Sequence, residues 1–169
     1  ITLAGTSGTL FTNSGTFTEG SSTVVLSGNG DATINSGTPS FYNLTSSGTG
    51  IKTFGTSLTV SNVMTISAGA VDLSSYTLTL SGTTGTPFVK TGRLIPNTGT
   101  VEYTGNNTGG NTTIVAGSYK NLTLNNASET YDIGAGAGGF SYYRAITIDN
   151  AKVPNTDQTD FPVLISGIY

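Results

Sequence analysis

SLTVSNVMTISAGAVDLSSYTLTLSG, residues 57–82, carries four short apolar pairs in a row: Leu58 and Val60, Met64 and Ile66, Val71 and Leu73, Leu78 and Leu80. Within each pair the side chains stand two residues apart, the period of a strand with one buried face. The pairs begin six or seven residues apart, too close for hairpins of ordinary strand length. Ser61-Asn62, Ala68-Gly69 and Ser74-Ser75 fall between them and suit tight turns. The spacing predicts a coiled β-solenoid in which each pair is one side of a rung and about three sides complete a turn.

The same pattern extends in both directions. Upstream it runs through Ile1/Leu3, Leu10/Phe11, Phe17, Val24/Leu26, Ala32/Ile34, Phe41/Leu44 and Ile51/Phe54. Downstream it runs through Phe88/Val89, Leu94/Ile95, Val101/Tyr103, Ile114/Val115 and Leu122/Leu124. No helical period interrupts it. Two segments also match at long range: LFTNSGTF (10–17) with LIPNTGTV (94–101), and SFYNLT (40–45) with SYKNLT (118–123). They predict a unit of about 80 residues, several rungs long, present about one and a half times. Asn43 and Asn121 precede Leu-Thr in both copies, and stacked asparagines at a corner are expected to form a polar ladder.

A chain of 169 residues is long enough for one real core, and a single elongated domain is expected. Charged residues are only 9% of it, against roughly 25% in an average soluble domain, while Thr and Ser together supply about 30%. Hydroxyls therefore keep this surface wet. With no Cys, His or Trp, thiol and imidazole chemistry is excluded, and no disulfide framework is available. The six basic residues, Lys52, Lys90, Arg93, Lys120, Arg144 and Lys152, are scattered singly in a chain of net charge −3. No basic stripe tracks a phosphate backbone, so a nucleic-acid partner is not expected. No apolar run of ~18 residues is present, so no membrane-spanning helical segment is expected. Because the chain opens on Ile1 without a signal-like segment, we expect either a removed leader or a piece of a longer polypeptide.

From about Thr9 to Leu124, the runs GTLFTNSGTFTEGSSTVVLSGNG and PSFYNLTSSGTGIKTFGTSLTVSNVMTISAGAVDLSSYTLTLSG resemble the repetitive, solenoid-like regions of large bacterial and archaeal surface proteins. That resemblance implies a stalk, adhesin shaft or fibre-forming segment and brings no catalytic residue set. At Tyr131 the composition shifts. YDIGAGAGGF reads as a Gly/Ala hinge. The last 28 residues, 142–169, resemble the opening of an uncharacterised domain of secreted prokaryotic surface proteins with jelly-roll, lectin-like character. The match rests on Tyr143-Arg144, Ile146-Thr147-Ile148-Asp149, Lys152-Val153 and Thr159-Asp160-Phe161-Pro162-Val163-Leu164. The expected layout is a β-solenoid over 1–130, a Gly-rich hinge over 131–141 and a C-terminal strand segment over 142–169, either a donor strand or a partial domain.

Little reactive chemistry is on offer. Polysaccharide-cleaving β-helices need paired carboxylates, whereas Glu19, Asp31, Asp72, Glu102, Glu129 and Asp132 are isolated in sequence and read as solvated rung positions. Asp72 points outward between Val71 and Leu73 with no partner in sight. Asp149, Asp157 and Asp160, with Asn150 and Asn155, offer oxygen to calcium, but their spacing does not match a twelve-residue calcium loop, and turn formation is the plainer reading. Gly134–Gly139 lacks the lysine and following helix of a phosphate cradle. Phe140, Tyr142, Tyr143, Phe161 and Tyr169 could stack on sugars or pack a sandwich. Asn43, Asn106, Asn111, Asn121 and Asn126 each begin a glycosylation triplet, as a chain rich in Asn and Thr produces by composition.

A solenoid has open ends that must be capped or must polymerise. YYRAITI (142–148) and PVLIS (162–166) are strand candidates behind the hinge. Tyr142, Tyr143, Ile146, Ile148, Val163, Leu164 and Ile165 are therefore the expected assembly strand, added to a neighbouring copy. The sequence reading is thus an all-β, elongated parallel solenoid, with a pilin-like β-sandwich as the alternative architecture. It is expected to serve as a subunit of an extracellular or cell-surface filament, stalk or fibre, homopolymeric, without cofactor or metal and not an enzyme. The alternatives are an adhesin or carbohydrate-binding module with surface glycans as partners, and, less favoured, a polysaccharide-degrading β-helix.

Overall fold

The computed structural model describes residues 1–35, 37 and 40–133, together with two strands of the C-terminal segment at 146–148 and 163–165. Seventeen strands are present among them and no helix. One sheet takes, in spatial order, β1 (Thr2–Leu3), β3 (Thr23–Leu26), β5 (Ser40–Ser46), β7 (Leu58–Ile66), β9 (Thr77–Leu80), β12 (Thr100–Tyr103), β14 (Asn121–Leu124) and β16 (Ile146–Ile148), with β10 (Phe88–Lys90) also paired to β7. A second sheet stacks β2 (Thr9–Phe11), β4 (Ala32–Ile34), β6 (Ile51–Phe54), β8 (Ala70–Asp72) and β11 (Arg93–Ile95). A third holds β13 (Thr112–Ile114), β15 (Tyr131–Ile133) and β17 (Val163–Ile165). Every described ladder is parallel. Parallel strands joined by tight corners stack as a β-solenoid of about six turns, and the pilin-like sandwich is not what this chain forms.

Residues 57–82 show why. Leu58 and Val60 lie opposite Leu78 and Leu80 on the next turn, so the fourth apolar pair of the stretch stacks on the first, as three sides per turn require. The columns continue: Leu58, Leu78, Val101 and Leu122 form one inward file, and Phe41, Val60, Leu80, Tyr103 and Leu124 form another. All of these side chains are buried. Burying each large aliphatic or aromatic group contributes roughly 1.5–3 kcal/mol relative to leaving it exposed. The intervening Thr59, Thr79, Glu102 and Thr123 face outward in a file of their own.

Three details depart from the sequence expectation. The pairs Leu58/Val60 and Met64/Ile66 belong to one nine-residue strand, β7, and Ser61-Asn62 is a bend within it where burial stops alternating. The strand survives the bend because the turn below holds it: Asn62 Nδ2 and the Val63 N–H both donate to Asn43 Oδ1, at 2.8 and 3.2 Å. This is a corner ladder, built by Asn43 with Asn62 rather than with Asn121. The long-range motif copies also fall out of register. Leu44 stacks with Val24, Met64 and Phe88, whereas Leu122, its partner in the SFYNLT/SYKNLT match, stacks with Val101. Corners vary in length, so that hydrogen bonds between successive turns span from 18 residues, between Thr112 and Thr130, to 28, between Thr113 and Gly85, and matching letters need not mark matching positions. Tyr131–Ile133, assigned from sequence to the hinge, is instead strand β15 with Tyr131 fully buried.

Corners close where backbone approaches backbone. Gly28, Gly48 and Gly69 lie in successive turns, and a Cβ on Gly48 would stand 1.8 Å from the Gly28 carbonyl oxygen. At the β8 corner, Ser74 takes a positive φ of 54°, and its N–H donates to Asp72 Oδ1 at 2.7 Å.

Candidate functional site

The expected assembly strand lies at the end of the stack. Ile146 and Ile148 occupy β16, opposite Leu122 and Leu124 of β14. Val163, Leu164 and Ile165 form β17, opposite Tyr131, Asp132 and Ile133 of β15. Both pairings are parallel and both are made within the chain. Tyr142 and Tyr143 lie outside the described residues. So do the Gly134–Gly139 run, the aspartates Asp149, Asp157 and Asp160, and the other aromatic residues Phe140, Phe161 and Tyr169.

The five glycosylation triplets all fall within described segments. Three of their asparagines use the side-chain amide to tie one turn to the previous one. Asn43 Nδ2 donates to Thr23 Oγ1 at 3.3 Å. Asn121 donates to the Thr98 and Gly99 carbonyls at 3.1 and 3.2 Å, and Asn126 to those of Thr104 and Gly105 at 3.0 and 3.1 Å. Asn106 is half-buried, and Asn111 stands exposed on its loop.

The carboxylates expected to be solvated are mostly engaged. Asp31 Oδ1 accepts the Ile51 N–H at 2.8 Å. Asp72 Oδ1 accepts both the Ser74 N–H and Asn97 Nδ2, each at 2.7 Å, so it does have partners. Glu102 accepts Thr79 Oγ1 at 3.1 Å and Asn125 Nδ2 at 3.0 Å, bridging three successive outward positions. Turns of a parallel coil are only about 4.8 Å apart, so a short acidic side chain reaches the next turn's donors. Glu129 differs most from expectation, being buried at 1% exposure. No group of three or more acidic residues placed to hold a metal ion occurs among the described residues.

Sequence reasoning also missed Lys52. The run IKTF pairs Ile51 with Phe54 by hydrophobicity, yet Lys52 and Phe54 are the inward residues of β6 and Ile51 is half-exposed. Lys52 sits in the file Ala32, Lys52, Val71, Leu94 at 0% exposure. Small Ala32 leaves room for its stem, and Nζ donates to the Gly30 carbonyl at 2.9 Å. Burial lowers the pKa of this ammonium from the ordinary 10.5, and the nearby negative charge of Asp31 opposes the shift. The folded protein thus binds this proton less tightly than the unfolded chain does. The charge costs stability at neutral pH, and the cost fades as pH rises through the lowered folded value towards 10.5. Lys52→Met is expected to raise stability near neutral pH by about 1 kcal/mol, with the advantage shrinking as pH approaches 10.5. Urea midpoints of both proteins across that range check this, and a variant less stable at neutral pH contradicts it.

Among the described residues no helix is long and apolar enough to cross a membrane. Comparison of the chain with family models, with curated proteins and with solved structures found no match.

Proposed function

We propose that this chain is a structural segment of an extracellular filament, stalk or surface fibre of a prokaryote, a rod whose copies join head to tail by β-strand addition. The observation that carries this reading is the pairing of β16 on β14 and β17 on β15: the segment beyond residue 140 adds strands in parallel to the end of the stack. A segment that can do so within one chain has the register and side-chain alternation to do so on another copy, with the sheet edge as acceptor. The outward hydroxyl files and the engaged carboxylates fit a scaffold better than a reaction site. The resemblance to surface-protein stalks supports the location outside the cell.

Deleting residues 140–169 is expected to abolish filaments seen by negative-stain microscopy while the far-ultraviolet circular dichroism of the β-coil persists. Filaments that survive the deletion, or a full chain that forms none, overturn the reading.

A further inference from the structure

Glu129 sits at the corner leading into β15, almost completely buried. One carboxylate oxygen, Oε2, accepts the N–H of Asn107 from the corner of the previous turn. The other, Oε1, is buried and meets no hydrogen-bond donor among the described residues, lysine and arginine included. On the neighbouring strand β13, Thr112 is 2% exposed. Its backbone N–H donates to the Thr130 carbonyl at 2.9 Å, its Cα partner is Tyr131, and its Oγ1 is likewise buried without a partner. The Tyr131 hydroxyl donates to the Tyr103 carbonyl at 3.3 Å. Its pKa is raised by burial first and then by the charges of Glu129 and Glu102, which places the Glu129 carboxylate within electrostatic reach of that ring. A buried carboxylate is retained when a partner offsets its desolvation. Here one oxygen has such a partner and the other does not.

We infer that this corner is a cation site, with Glu129 Oε1 as its charged ligand and Thr112 Oγ1 as a second oxygen, selective for a hard, oxygen-seeking ion of the calcium class. Such ions take carboxylate, hydroxyl and carbonyl oxygens. With a single carboxylate the site is weak, binding with Kd of roughly 10⁻⁴–10⁻³ M, the range of extracellular calcium modules. Bound there, the ion ties the corner at 105–111 to that at 126–130 one turn later. The inference does not depend on polymerisation, since it is read on the single chain.

Terbium, which replaces calcium at oxygen sites and is excited through nearby tyrosine, is the direct probe. Tyrosine-sensitised terbium emission is expected from the full chain, to saturate, to be displaced by calcium and to be lost in Glu129→Gln, whose amide oxygen still accepts the Asn107 N–H. Thr112→Val is expected to weaken terbium binding several-fold. In thermal melts, calcium at ~10 mM is expected to raise the Tm of the native chain by roughly 3–8 °C over chelator and to leave Glu129→Gln unmoved. Absence of sensitised emission, or equal calcium shifts in both proteins, overturns the site. So does a Glu129→Gln variant that matches the calcium-loaded native chain in stability without any ion, because the carboxyl is then simply an unpaired group that the fold tolerates.

Discussion

Gly48→Ala is expected to lower stability by roughly 3 kcal/mol or more, at the upper end of what overpacking costs. The added Cβ would lie 1.8 Å from the Gly28 carbonyl oxygen, 2.5 Å from the carbon that bears it and 2.9 Å from the Ser27 carbonyl carbon. None of these atoms is the end of a flexible side chain. They belong to backbone held by the Ser47 and Gly48 N–H groups, which donate to the Leu26 carbonyl at 3.0 and 3.2 Å. Relief by separation would pull apart the ladder that pairs Thr45 and Ser46 with Val25 and Leu26. Gly109→Ala is the control, because its Cβ would meet only Asn107 Oδ1 at an ordinary 3.5 Å. It is expected to change stability by no more than about 0.5 kcal/mol. Urea midpoints followed by circular dichroism separate the two, and equal midpoints would show that the corner can open without cost.

That glycine file also shows where sequence reasoning reached its limit. The step of six to seven residues between apolar pairs in residues 57–82 sufficed to foresee a parallel coil with three sides per turn, because strand period and corner length are local properties. The file of Gly28, Gly48 and Gly69 is not local. Each glycine was legible as turn material, but the reason it must be glycine is a carbonyl some 20 residues away. Lys52 and Glu129 were misplaced on the same account. Hydrophobicity assigns both to the surface, whereas the inward phase of β6 and a donor on the previous turn decide otherwise. Asn62 is the clearest instance. It reads as a turn residue between two strands, yet it lies within one continuous strand because Asn43, 19 residues earlier, supplies the acceptor that replaces an interrupted ladder. Candidate site residues in the C-terminal segment were legible only as strand formers, and their alternating pattern does not encode whose edge they add to.

Phe41→Ala is expected to cost about 3–5 kcal/mol, with an effect confined to one end of the rod. Phe41 is 1% exposed, and its ring packs edge-on to Phe11 at 5.3 Å between centroids and tilted against Phe17 at 5.7 Å. Phe11 and Phe17 meet each other at 5.2 Å, so truncating Phe41 leaves a cavity beneath both. Those two rings are only partly buried and cover the core beside β2 and β3, so Phe41 is the fixed floor on which the first turns rest. In a stack each turn contacts its neighbours alone. Loss of that floor therefore frees β1 to β4 before it reaches β9, β12 and β14, whose file of Leu80, Tyr103 and Leu124 remains closed. Amide hydrogen exchange should show protection lost first in residues 2–34 and largely kept in residues 77–124. Uniform loss along the chain would mean that the turns fold as a single unit, and the rod would then have no end that melts independently of the other.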